Sequence, residues 1–295
     1  MKENISINCR VCSSKDYTFL FNAKNTTSNT DINFEYYQCK KCKTIFIGKI
    51  PIDMNNFYNE DYHPFTSKTK LDTKDKKNIN SIRKLSPNYS VLELGIGNGK
   101  FIEYLNNTGH KCYCIEPYSK ITNQIRKKNI NIISSTLEKL NIDDLNFKVD
   151  IIYSWHSIEH LNNFPIFLKL CEKILNKGGY VIIGTPNQKS LSFKYYKQYW
   201  YHLQPPLHSF LITNDEMEKQ FNAINFIKIK FSSRDKMSII SSKYGWETSG
   251  FLLKKKSGKK IDSYLGKFLS FFMPFIEAIL NRSSQYTIIF KRSQN

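Results

Sequence analysis

The chain has 295 residues, 40% hydrophobic and 14% aromatic, enough to bury one full-sized α/β core with a small appended module and too apolar for a disordered protein. Its formal charge of +19 draws it toward polyanions, whether nucleic acid, anionic headgroups or phosphorylated substrates. Charge does not choose among them, and the bias toward Lys, Asn and Ile along the whole chain raises it without a functional cause. Residues 1–10 carry no apolar run followed by a small-residue cleavage site, so the cytoplasm is the expected compartment and the seven cysteines are expected to stay reduced.

Four of those cysteines are paired early, as Cys9-x-x-Cys12 and Cys39-x-x-Cys42. Residues 17–21 and 34–37 between them read as short strands, which makes 1–50 a zinc ribbon. Four thiolates can meet in a tetrahedron, and the metal supplies folding energy that so short a segment could hardly find in its own core. Four cysteines also close the coordination sphere, so the zinc is expected to be structural. Residues 51–87 are expected to form a helical linker or lid.

From 88 to the end, strand-like and helix-like stretches alternate, the pattern of a doubly wound sheet. Residues 91–94 form a short buried strand that runs into Gly95-Ile96-Gly97-Asn98-Gly99, and 100–106 then read as a helix. Glycines at such a turn let the backbone approach a ligand and present amide donors at a helix N-terminus. A dinucleotide fingerprint would need glycine at position 100, where this chain has Lys100, so the motif is Glu93-x-Gly95-x-Gly97-x-Gly99. The next strand, 111–115, ends in Glu116-Pro117, a carboxylate placed to hold the two hydroxyls of a ribose.

These residues resemble the class I S-adenosylmethionine-dependent methyltransferases over 88–232. The resemblance implies a Rossmann-like, doubly wound seven-stranded α/β sheet and a site for S-adenosylmethionine built from Glu93, Gly95, Gly97, Gly99, Glu116 and Pro117. It adds Thr136 and Leu137 beside the adenine, without the acidic residue common there, and Trp155 beside the cofactor. Residues 150–161 look like the fourth strand and its loop, and 175–187 like the turn into the fifth strand and its end. One branch of the family joins a cysteine ribbon to segments resembling Phe57-Tyr58-Asn59-Glu60-Asp61-Tyr62 and the stretch from Trp200 to Phe210. Enzymes of that branch are associated with sugars and cell-envelope glycoconjugates.

Methyl transfer asks for an aligned acceptor and removal of its proton, and histidine is the natural base for a hydroxyl. Three candidates fall near the expected site: His156, His160 and His208. Each has an ordinary alternative as a hydrogen-bonded packing residue. His156-x-x-Glu159-His160 spells a metalloprotease signature but begins at a strand end rather than on a helix face. Some related quinone O-methyltransferases hold a divalent metal at these loop positions, which leaves a cation there open. Tyr195, Tyr196, Tyr199, Trp200 and Tyr201 could stack on a sugar ring or pack the core. Ser154-Trp155-His156-Ser157 lacks the Pro-Pro-aromatic motif of enzymes acting on base amines.

Strands are expected at 226–231 and 285–291, with a helical insert at 233–283 before the last strand. The insert carries Lys254, Lys255, Lys256, Lys259 and Lys260 ahead of an apolar stretch at 261–280 that Pro274, Asp262, Lys267 and Glu277 make a poor transmembrane span. Its two readings are helices that cap a pocket or interface, and a peripheral contact with the inner face of a membrane through 254–280. The expected function is O-methylation of a sugar or cell-envelope glycoconjugate. An RNA methyltransferase, for which charge and ribbon speak and the apolar insert speaks against, and a non-catalytic ribbon scaffold are the rivals.

Overall fold

The computed structural model describes residues 7–25, 32–51, 54, 57, 89–117, 119–126, 128 and 130–294. The 57–62 segment beyond Phe57 and most of the 51–87 linker lie outside the described residues.

The main sheet has seven strands: β4 (Ser90–Leu94), β5 (Lys111–Ile115), β6 (Asn131–Ser134), β7 (Val149–Trp155), β8 (Leu175–Pro186), β10 (Phe226–Ser232) and β11 (Gln285–Arg292). Their order is β10-β11-β8-β7-β4-β5-β6, with β4 parallel to both β5 and β7, β7 parallel to β8, and β11 antiparallel between β8 and β10. The central strands are apolar at successive positions because helices cover both faces. Leu92, Leu94, Ile152, Val181 and Ile183 pack toward α3 (Phe164–Ile174), whereas Val91, Ile151, Tyr153 and Ile182 pack toward α1 (Lys100–Asn107) and α2 (Ser119–Arg126). Side chains alternate across a strand, so one run of sequence fills two cores.

The chain leaves β4 toward β5 on one side, while β7 lies on the other. This is the topological switch point, where the carboxyl ends of parallel strands open a crevice. The glycine turn after β4, the Glu116 end of β5 and the loop after β7 all reach it.

The cysteine-bearing segment folds as β1 (Tyr17–Lys24), β2 (Asn33–Cys39) and β3 (Ile45–Ile47), and its sheet is completed by β9 (Phe210–Leu211) from the far side of the chain. Ile45 pairs with Leu211 and Phe46 with Phe210. Tyr36, Ile45 and Ile47 share a core with Trp200, Leu203, Leu207 and Trp246. The ribbon thus buttresses the 200–211 segment.

After β8 come α4 (Leu191–Tyr196) and α5 (Asn214–Asn222). The insert between β10 and β11 is a helical hairpin, α6 (Lys236–Ser257) and α7 (Lys260–Ile279), joined at Gly258, whose φ is 74°. Where the two helices cross, a Cβ on Gly266 would lie 2.8 Å from the Gly250 Cα. Only glycine allows that approach. The inward face of α6 carries Ser238, Ser241, Ser242, Gly245 and Ser249, and the buried Glu277 of α7 accepts the Ser192 backbone N–H at 2.8 Å.

Candidate active site

Gly95, Gly97 and Gly99 all have positive φ, at 69°, 53° and 71°. Two of these positions differ in what surrounds them. A Cβ on Gly95 would come within 2.2 Å of the Ser157 Oγ, so the loop after β7 presses against the turn, and Ser157 Oγ in turn donates to the Gly95 carbonyl at 3.4 Å. A Cβ on Gly97 would meet nothing within 4 Å. The middle of the turn therefore faces open space. The turn is tied to the neighbouring strand end by Gly95 N–H to the Ile115 carbonyl and by Ile96 N–H to Glu116 Oε2, both at 2.9 Å. Glu116 is thereby fixed beside the turn and exposes only 6% of its surface. Left-handed glycines, open space over the central one and a carboxylate locked at the adjacent strand end fit a nucleoside bearing a charged tail.

Glu93 is buried at the end of β4, and Pro117 is exposed directly after Glu116. Thr136 caps the short turn Leu137–Lys139, and its carbonyl accepts the Ser134 hydroxyl at 2.7 Å. Leu137 sits with its side chain in the core, so only its backbone is available to a ligand. The Trp155 ring lies flat over Gly184, where a Cβ would meet it at 2.5 Å, and stacks on Tyr153 with an interplanar angle of 9°. It is half-buried at the carboxyl end of β7.

The loop after β7 and the 200–211 segment meet around Glu159. Its carboxylate is fully buried, 3.2 Å from His156 Nδ1 and accepting the Thr185 hydroxyl at 3.0 Å, with His208 Nε2 at 4.0 Å. Its backbone carbonyl accepts the Ser209 N–H at 2.7 Å. Burial alone would push the Glu159 carboxyl up, but the His156 hydrogen bond and the surrounding imidazoles pull it down to about 2.

The three candidate histidines are therefore brought together, in different states. His156, at φ 53°, has both nitrogens engaged, Nδ1 by Glu159 and Nε2 by Gln285 Oε1 at 2.7 Å. His208 is buried, donates from Nδ1 to the His202 carbonyl at 2.7 Å, and is pushed down to about 3 by burial and by His160. His160, half-buried in the turn Ile158–His160, stands edge-on to His208 with ring centroids 4.8 Å apart. Burial lowers its pKa, against the pull of Glu159 and of a hydrogen bond with the Leu207 backbone. Glu159, His160 and His208 offer ligand atoms within 4.8 Å of one another, an arrangement that could also hold a divalent cation.

The aromatic run divides between the two expected roles, part of it packing the core. Phe193, Tyr196 and Trp200 are buried, packed on one another, on Trp246 and on Phe21 of the ribbon, and Trp200 Nε1 donates to Ser192 Oγ at 3.1 Å. Tyr195 is the member left well exposed. Thr185, His202, Ser209 and Gln285 were missed by sequence reasoning. Thr185, Ser209 and Gln285 come from segments remote from the Glu159 loop, and His202 holds His208 from within its own segment; no local spacing marks any of them.

At the other end of the 200–211 support, the four thiols converge. Cys9 and Cys42 sulfurs are 3.4 Å apart, Cys12 and Cys39 3.5 Å, and all four lie within 4.8 Å of one another. Thiolates about 2.3 Å from a central zinc would be about 3.8 Å apart. Both Cys-x-x-Cys turns share one geometry: the residue after the second cysteine, Ser13 or Lys43, is left-handed and donates its N–H to the first cysteine's carbonyl at 2.9 Å. Burial raises the Cys12 thiol to about 11, and the Cys9 sulfur together with burial raises the Cys42 thiol further, whereas a bound cation would favour the thiolates.

Comparison with known proteins agrees with this geometry. The methyltransferase domain family matches residues 59–230, more than half of the chain. The mitochondrial ubiquinone biosynthesis O-methyltransferase of Rattus norvegicus is 28% identical over 113 residues, 35% of this chain and 32% of that protein. Its Dictyostelium discoideum counterpart is 31% identical over 74 residues, 25% of this chain and 23% of that one. The chain thus spans a third or less of these relatives. Among solved structures, a sarcosine dimethylglycine methyltransferase candidate from Galdieria sulphuraria aligns at TM-score 0.51 and 14% identity, covering 75% of this chain and 86% of its own. A SAM-dependent methyltransferase from Archaeoglobus fulgidus aligns at 0.50 and 16%, covering 74% and 93%. The match across residues 59–230, on a sheet whose switch point carries the glycine turn and Glu116, shows that the chain belongs to the methyltransferase domain family, with the class I fold of S-adenosylmethionine-dependent enzymes.

Proposed function

We propose that the chain transfers the methyl group of S-adenosylmethionine to a hydroxyl oxygen of a sugar or cell-envelope glycoconjugate, and that the four cysteines hold a structural zinc. The observation that carries the reading is the switch-point geometry: a left-handed glycine turn locked to Glu116, abutting the loop that bears His160. When bound, the sulfonium donor supplies an activated methyl group. With the donor held at the glycine turn and Glu116, its sulfur would leave with the bonding electron pair as the methyl group passes to an aligned acceptor oxygen, and the chain's part would be to align that oxygen and to take its proton. That role falls to His160, half-buried in the loop after β7 and hydrogen-bonded to the Leu207 backbone, rather than to His156, held at both nitrogens by Glu159 and Gln285, or to the enclosed His208. Glu159 is a positioning residue, holding His156 and anchoring the two loops through its backbone.

The choice of oxygen is supported by the similarity to the two ubiquinone biosynthesis O-methyltransferases, and the choice of a glycoconjugate by the resemblance of the cysteine segment and of 200–210 to the branch of the family associated with such acceptors. Those same relatives favour a second reading, a phenolic hydroxyl as acceptor. A transfer assay with labelled donor against polysaccharide, lipid, quinol and RNA fractions separates them. Label in polysaccharide or glycolipid supports the proposal, label in quinol the second reading, and label only in RNA contradicts both.

A further inference from the structure

We propose that the outward face of α7 is a docking surface for an anionic lipid bilayer, with the helix lying in the membrane plane. Of the eleven exposed positions on this helix, nine are apolar or aromatic and two are lysines, Lys260 and Lys267, with no carboxylate among them. Phe268, Phe271, Phe275 and Ile279 are 62%, 65%, 59% and 73% exposed. A helix packed on a water-solvated domain normally turns its polar side outward. Here the polar and small residues, Gly266, Ser270 and Glu277, are the buried ones, so the arrangement is inverted relative to water. At a helical rise of about 1.5 Å per residue, the apolar stripe from Ile261 to Leu280 is about 28 Å long.

Charge selects the occupant. Lys254, Lys255, Lys256, Lys259 and Lys260 stand where the stripe begins, and Lys267 follows within it. Lys254 and Lys255 lie over the half-exposed Phe251 ring at 5.9 and 5.0 Å, which joins the basic cluster to apolar surface. A second copy of this face would bring no carboxylate to these lysines, because Glu277 is buried and Asp262 is half-buried and accepts the Ser257 hydroxyl. Lipid phosphates supply the missing countercharge, and acyl chains accept the phenyl rings. No helix among the described residues is long and apolar enough to cross a membrane.

The test is sedimentation of the full-length chain with vesicles of equal parts phosphatidylglycerol and phosphatidylcholine, and with vesicles of phosphatidylcholine alone. Binding to the anionic vesicles should be at least about tenfold stronger and should weaken with salt. A Phe268→Ser/Phe271→Ser/Phe275→Ser variant and a Lys254→Gln/Lys255→Gln/Lys256→Gln variant should each lose about tenfold or more while keeping the parent melting profile, since these side chains are on the surface. Phe271→Trp should shift its emission to the blue on the same vesicles. Equal or absent binding to the two vesicle types overturns the proposal. So does a dimer in light scattering that the phenylalanine variant dissociates, for then a second copy covers this face.

Discussion

At Gly97 the backbone is left-handed and the space where a Cβ would stand is open, so a substitution there acts on the ligand more than on the fold. Gly97→Val should weaken S-adenosylmethionine binding by more than about tenfold, at a folding cost of about 1–2 kcal/mol for the left-handed backbone, read by titration calorimetry and a thermal melt. His160→Gln should lower the transfer rate by about 10² to 10⁴ with the donor's affinity unchanged, which a split of kcat from donor binding would reveal. Acid sensitivity also belongs to single residues. Burial pushes His202 down to about 4 and His208 to about 3, while an unfolded chain protonates them near about 6.5. As pH falls below that value the unfolded state takes up protons first, so stability is full above about 6.5 and drains away toward 4. Denaturant midpoints should decline across that window before the carboxylates titrate, and a flat profile from neutral to pH 5 would contradict the burial of these rings.

Among elements, the ribbon and the helical hairpin each rest on one local device. On the proposed zinc site, a chelator should lower the melting temperature and loosen 200–211 as well as the ribbon, because β9 completes the ribbon sheet and Tyr36 Oη donates to the His208 carbonyl. Hydrogen exchange before and after chelation, alongside elemental analysis for about one zinc per chain, would show it. Gly266→Ala should cost about 1–3 kcal/mol, since its Cβ would meet the backbone of Gly250 and Trp246 rather than a side chain that can move aside. These elements were unequally legible in the sequence. Strands β4, β5, β10 and β11 were readable to within a residue, β4 and β5 because apolar runs ending in Gly95 or Glu116 carry their own punctuation, and the two Cys-x-x-Cys turns announced their convergence. Strand β9 was not legible: a two-residue strand has no period, and its partner Ile45 is remote in the chain. The same holds for the site, where the glycine turn was plain but the Glu159 network depends on Thr185, Ser209 and Gln285 arriving from other strands and loops. Which rings of the run from Tyr195 to Tyr201 pack the core was not legible, because residue type alone does not distinguish a ring open to a ligand from one that packs against Trp246.

At the scale of the molecule, the seven-stranded sheet places a ligand crevice at its switch point, the ribbon holds the loop on one side of it, and the hairpin offers a basic and apolar outer surface. All of this serves a methyltransferase only if the crevice takes the sulfonium donor. Titration calorimetry of the full-length chain with S-adenosylmethionine, in parallel with Gly97→Val and Glu116→Ala, measures that directly. We expect one saturable site in the parent chain, with at least about tenfold weaker binding in each variant and zinc content unchanged. No heat at ligand concentrations near a millimolar, or undiminished binding in both variants, would contradict the account.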